Sequence, residues 1–175
     1  MSETIMNDNY DIKKLRKKKK RVNSRTKGSA FERKIAGLFN DSLGTTEFSR
    51  SPGSGAFATT HSLPEHLKIY GDLITPQNFK YCIECKKGYN KIHINNLLDY
   101  NSELWGFVKQ CEKDSIACGR EPLIIFQQDR QPILAILQTD ININNKIEIN
   151  NYKIYLFNEV LNSLDYYSWF TQEVD

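Results

Sequence analysis

The sequence predicts an α/β fold in which a central mixed β-sheet is flanked by helices. Three observations predict it. Apolar residues recur at helical spacing in SAFERKIAGLFN (29–40) and again within residues 91–118. Short runs rich in β-branched and aromatic residues follow each helical stretch: FKYCIECKK (79–87), then PLIIFQQ (122–128) and PILAIL (132–137). The resulting order, helix, three strands, helix, two strands, is that of a sheet covered by helices rather than of a bundle or a sandwich.

Phe31, Ile35, Leu38 and Phe39 form the apolar stripe of the first helix. Ser29 stands three residues before Glu32, which is capping-box spacing and predicts the helix start there. Gly44 marks the end of the unit. TEFSRS reads as a short strand entering the Gly-rich turn PGSGA (52–56), and residues 57–70 read as a polar loop. GDLIT (71–75) and FKYCIECKK are predicted to pair as a hairpin around PQN. Leu97, Leu98, Tyr100, Leu104, Trp105, Phe107 and Val108 supply the apolar side of the second helical stretch. PLIIFQQ and PILAIL form a strand pair turning at DRQ. KIEIN–NYKIYLF (146–157) predicts one more hairpin, followed by a helix through EVLNSLDYYSWF (159–170). The aromatic residues Tyr152, Tyr155, Phe157, Tyr166, Tyr167, Trp169 and Phe170 are expected in the core or at a subunit contact.

The chain has 175 residues and four cysteines, enough length to bury a core without disulfides. Cys82, Cys85, Cys111 and Cys118 are expected as free thiols. Cys82 and Cys85 have CxxC spacing, but on a strand side chains three apart point to opposite faces, which argues against a shared metal. His61, His66 and His93 are scattered and read as bystanders. No run approaches the ~20 apolar residues needed to span a bilayer. The N-terminus also lacks the apolar centre of a signal peptide. A cytoplasmic protein with no membrane partner is expected. A composition heavy in Asn, Ile and Lys suggests an AT-rich genome, such as a phage's.

Charge is placed unevenly. Residues 1–27 carry ten Lys or Arg against Glu3, Asp8 and Asp11, a net +7, while the remaining 148 residues carry a net −4. A run such as KKLRKKKKR repels itself and attracts polyanions, so residues 1–26 are expected to form a disordered basic arm that binds phosphate backbones. Residues 27–138 are expected to form the core, and 139–175 a hairpin-plus-helix extension.

The chemistry centres on GDLITPQNFKYCIECKK. Glu84 and Lys86 are i and i+2 on one strand and share a face. Asp72 opens the partner strand. If the turn centres between Gln77 and Asn78, Asp72 lies opposite Ile83, and a bulge or one-residue shift would bring it to Glu84. Two carboxylates and a lysine at one end of a hairpin suit phosphodiester hydrolysis. The carboxylates, with the Cys85 backbone carbonyl as a further ligand, can hold Mg²⁺, for which Mn²⁺ would substitute. The lysine can orient water and stabilise developing charge. The spacing of acid, acid and Lys alone also occurs by chance on surface hairpins. Lys27, Arg33 and Lys87 are candidate contacts to DNA phosphates.

Four blocks in order, KGSAFERKIAGLF, FSRSPGSG, GDLI and CIECKK, resemble the archaeal-type Holliday-junction resolvases and their phage relatives, of the PD-(D/E)XK nuclease superfamily. The likeness covers roughly residues 25–137. It implies a restriction-endonuclease-like core with a mixed sheet, used as a homodimer. It also implies an active site of Glu32, Asp72, Glu84 and Lys86, with Glu32 joining the metal ligands and Arg50 and Ser51 near the scissile phosphate. Gly71-Asp72 stands where the family has Pro-Asp. For Glu32 the capping-box role remains a rival.

The resemblance implies a Mg²⁺-dependent endonuclease resolving four-way junctions. Two other readings stay open: a nuclease of the same core acting on duplex, flap or foreign DNA, and a silent core serving as a DNA-binding accessory protein.

Overall fold

The computed structural model describes residues 23–52, 70–144, 146–163 and 166–171. Most of the basic arm, the Gly-rich turn from residue 53, nearly all of the polar loop, His61 and His66 lie outside the described residues.

Helix α1 runs from Ser24 to Leu43, five residues longer at its start than the sequence predicts. Asn23 is the N-cap, its side chain accepting from the Arg25 N–H. Ser29 sits inside the helix, its hydroxyl donating to the Arg25 carbonyl at 3.0 Å. The capping-box reading of Ser29 and Glu32 is therefore incorrect: a better cap upstream starts the helix earlier. Gly44 ends it in the left-handed conformation at φ 64°.

Strand β1 (Ser49–Arg50) pairs antiparallel with β2 (Leu73–Ile74). The main sheet contains β3 (Tyr81–Lys87), β4 (Glu121–Gln127), β5 (Leu134–Leu137), β6 (Lys146–Ile149) and β7 (Tyr152–Leu156). Its order is β3-β4-β5-β7-β6, with β3 and β4 parallel and the other pairs antiparallel. The parallel pair is joined through a 3₁₀ turn (Ile94–Leu97) and helix α2 (Glu103–Cys118), the long crossover that parallel strands require. Two short helices, α3 (Phe157–Ser163) and α4 (Tyr166–Trp169), stand where one C-terminal helix was predicted. The architecture is a mixed five-stranded sheet between helices, consistent with a restriction-endonuclease-like core.

The expected hairpin of β2 with β3 is replaced by a different arrangement. The ladder partner of β2 is β1, and Asp72 joins β2 to β3: its N–H donates to the Ile83 carbonyl at 2.8 Å, while its own carbonyl accepts from Ser51 N–H at 2.9 Å. Asp72 thus does lie opposite Ile83, but through one hydrogen bond rather than a ladder.

Each face of the sheet has its own core. Toward α1, Tyr81, Ile83 and Cys85 pack with Phe31, Ile35, Phe39, Phe79 and Trp169. Toward α2, Ile124, Phe126, Ile136 and Ile154 pack with Leu104, Trp105, Val108 and Cys111. The period-2 alternation of β3 explains why Cys85 joins the first core. Cys82 lies against α2, its carbonyl accepting from the Cys111 thiol. All four cysteines are free. Of the aromatic residues expected in the core or at a subunit contact, Tyr152, Tyr155, Phe157, Trp169 and Phe170 are buried in the core, while the side chains of Tyr166 and Tyr167 lie outside those described. No helix among the described residues is long and apolar enough to cross a membrane.

Candidate active site

Among the described residues three carboxylates are buried: Glu84 is 3 % exposed, Asp72 8 % and Glu32 8 %. Buried carboxylates are rare unless paired or engaged in chemistry. All three lie within electrostatic reach of the Cys85 thiol, which burial and their charges push well up while the Lys86 charge acts the other way. The four residues therefore lie in the neighbourhood of Cys85.

Three segments supply them. Glu84 and Lys86 project from the same face of β3, toward α2, and their side chains form an ion pair. Lys86 Nζ sits 5.0 Å from the centre of the Phe107 ring. That is cation–π distance. Asp72 reaches the strand from its edge, its Oδ2 accepting from the Cys85 N–H at 2.7 Å. The side chain spans the gap, so no bulge or register shift is needed. Glu32 comes from α1 and accepts from Arg50 Nε of β1 at 2.5 Å.

Gly71 allows this approach. It has φ +74°, and a Cβ there would meet the Ile83 carbonyl oxygen at 2.7 Å and Cys82 Sγ at 3.1 Å. Proline, with φ near −65°, cannot adopt this conformation. The glycine in place of the family's proline is therefore a requirement of this chain's own backbone.

The electrostatics leave the Glu84 carboxylate only partly compensated. Burial first, then the charge of Asp72, pushes the Glu84 carboxyl up to about 7 even with Lys86 beside it. Burial acts against the Lys86 charge, but Glu84, with Asp72 and Tyr89 adding to it, outweighs burial and holds the ammonium above its ordinary value. Two adjacent buried carboxylates that repel one another are a fitting donor pair for a hard divalent ion. Among the described residues no three His, Cys, Asp or Glu side chains form a ready metal cage. Such a site would be completed by a backbone carbonyl, water and substrate, the pattern usual for Mg²⁺.

The predicted DNA-contact residues are dispersed around this centre. Lys27 on α1 bridges to Asp129 at 3.3 Å, and Arg33 is exposed on the same helix. Lys87 donates to Gln127 Oε1 at 2.8 Å. Burial, with Lys34 and Lys27 nearby, lowers its pKa. Ser51 is buried, its N–H tied to Asp72.

Sequence reading missed the seat of Lys86. The sequence places Phe107 on an apolar helix face and carries no sign of its contact with Lys86 or Tyr89. Tyr89 is held at φ +51° and packs edge-on against Phe107 at 4.7 Å. The Gly88-Tyr89-Asn90 turn signal was available; the partnership with α2 was not. Asn90 and Asp129 also exchange hydrogen bonds of 2.9 and 3.0 Å, joining the loop after β3 to the β4–β5 turn.

Comparison with protein-family models matches residues 23–175 to the family described as "Phage putative PDDEXK endonuclease". The chain belongs to this family. Membership in the phage PD-(D/E)XK endonucleases makes it a nuclease acting on DNA, of a superfamily that uses divalent metals. It is also similar to Protein D14 of Escherichia phage T5, at 31 % identity over 130 residues, covering 71 % of this chain and 77 % of that one. No solved structure gives a significant match.

Proposed function

We propose that this phage PD-(D/E)XK endonuclease is Mg²⁺-dependent and cuts four-way DNA junctions as a symmetric dimer, with Mn²⁺ able to substitute. The observation that supports the chemistry is the meeting of Asp72, Glu84 and Lys86 at one buried point of β3.

In this reading Asp72, Glu84 and the Cys85 carbonyl hold the metal, and Glu32 contributes through water or directly. When bound, the ion neutralises phosphate charge and makes its water more acidic. Lys86 orients the attacking water and stabilises charge on the phosphate, its ammonium aimed by Glu84 and seated on Phe107. Arg50, fixed by Glu32, is available to a non-bridging phosphate oxygen, with Ser51 beside it. Lys27, Arg33 and Lys87 contact flanking phosphates, and the basic N-terminal arm adds nonspecific attraction. A dimer with two equivalent sites suits two symmetric cuts in a two-fold junction.

The test is cleavage of a mobile four-way junction, a flap and a linear duplex at equal concentration, with Mg²⁺ and with EDTA. Junction cleavage that EDTA abolishes supports the reading. Preference for duplex or flap keeps the nuclease and removes the junction specificity. Junction binding without cleavage under Mg²⁺ or Mn²⁺ overturns the catalytic assignment.

A further inference from the structure

We propose that β6 is the contact between two copies of this chain, pairing antiparallel with its own two-fold mate to give one continuous ten-stranded sheet.

The two edges of the sheet are treated differently. At the β3 edge, Asp72 covers the strand, its N–H bonded to the Ile83 carbonyl and its carboxylate to the Cys85 N–H. At the other edge β6 pairs only with β7 among the described residues. An uncovered edge is a template for another strand.

The hydrogen-bonding phase suits such pairing. The two-residue turn at Asn150 and Asn151, with Asn150 at φ +55°, joins β6 to β7 and closes on Ile149 and Tyr152. Alternation of hydrogen-bonded and open pairs from that closing pair turns the backbone groups of Ile147 and Ile149 toward β7 and those of Lys146 and Glu148 outward. The Lys146 N–H bonds to its own Asn144 carbonyl, not to β7, and pairing would exchange that bond for one to the Glu148 carbonyl of the second copy.

The side chains select one register. About a two-fold axis at Ile147, each Lys146 lies opposite the other copy's Glu148, and Ile147 lies opposite its mate. Charges of a single sign would repel a second copy; the Lys–Glu alternation attracts one in this register alone. Lys146 already contacts Glu148 and Asp140 within its own chain, so pairing merges two such networks.

The adjoining surface is apolar. Ile147 is 44 % exposed and Leu98 78 % exposed. Ile149 of β6 joins Leu97, Trp105 and Tyr152 in lining a small apolar pocket, with Tyr100 stacked on Trp105. A second copy on β6 would cover this corner. The two candidate active sites would then lie at opposite ends of the sheet, roughly 40 Å apart at the usual strand spacing.

This deepens the dimer reading above, but its test reads mass and cross-linking, so its failure leaves the nuclease assignment standing. The full chain should sediment at twice its 20.3 kDa mass at tens of micromolar. Ile147→Cys should form an intermolecular disulfide under mild oxidation. Ile116→Cys, on exposed α2, should not. Glu148→Lys should weaken the dimer roughly tenfold by placing like charges opposite one another, and adding Lys146→Glu should restore it. Far-ultraviolet circular dichroism of each variant checks folding. A monomeric wild type overturns the proposal, and so does a dimer that fails to cross-link through Ile147→Cys.

Discussion

The carboxylate of Asp72 accepts a hydrogen bond from the backbone N–H of Cys85, 2.7 Å away and thirteen residues later in the chain. This bond turns a short edge segment into part of the β3 site. Asparagine can accept the same bond without the charge. Asp72→Asn should therefore fold with unchanged thermal stability to within about 1 kcal/mol, keep DNA binding, and lose Mg²⁺-dependent cleavage by roughly 10²–10³-fold. Melting, gel-shift and cleavage measurements on one preparation check it.

Glu32 and Arg50 form a largely buried ion pair between α1 and β1. Removing one partner leaves the other charge poorly solvated. Either Glu32→Gln or Arg50→Met should cost about 1–3 kcal/mol, less than for a fully buried pair because Arg50 keeps some solvent. The double variant should cost less than the two together. A double-mutant cycle by urea denaturation reads the coupling; additive losses would show that the pair contributes little.

Gly71 tolerates no side chain for two reasons that act together: its φ is +74°, and the Ile83 carbonyl oxygen lies 2.7 Å from where a Cβ would stand. Gly71→Ala should destabilise by at least about 2 kcal/mol. It should also displace Asp72, so the cleavage lost should exceed the fraction of protein unfolded. Activity per folded molecule, with folding followed by circular dichroism, separates the two.

Glu84 gives a pH signature in metal-free protein. Burial and then Asp72 raise its carboxyl from 4.5 in the unfolded chain to about 7 when folded. Between those values the folded state holds the extra proton, so this group makes stability fall as pH rises through the window. Glu84→Gln removes the effect. The stability difference should move in favour of the variant from about pH 4.5 to about 7 and be flat above it. Denaturation curves in EDTA at several pH values check this, and a pH-independent difference would remove the assignment.

Much of the local structure was legible in the sequence. The apolar stripe of α1, the strands β3 to β7 and the stop at Gly44 follow from periodicity and turn residues. Period-2 alternation also put Glu84 and Lys86 on one face and kept Cys82 and Cys85 on opposite faces. The start of α1 was misread because Ser29 has capping spacing while the cap that operates, Asn23, lies at the edge of a charge run that looks unstructured.

By itself, then, the sequence determined which residues share a face and which acids and bases stand near one another along the chain. Only the tertiary structure decided that β2 pairs with β1, that the Asp72 side chain rather than a strand register carries its carboxylate to β3, that Phe107 lies beneath Lys86, and that β6 is left uncovered among the described residues. The physical reason is range. Side-chain periodicity is a property of neighbouring residues, whereas strand partners and helix docking are set by how two apolar faces far apart in sequence are buried together.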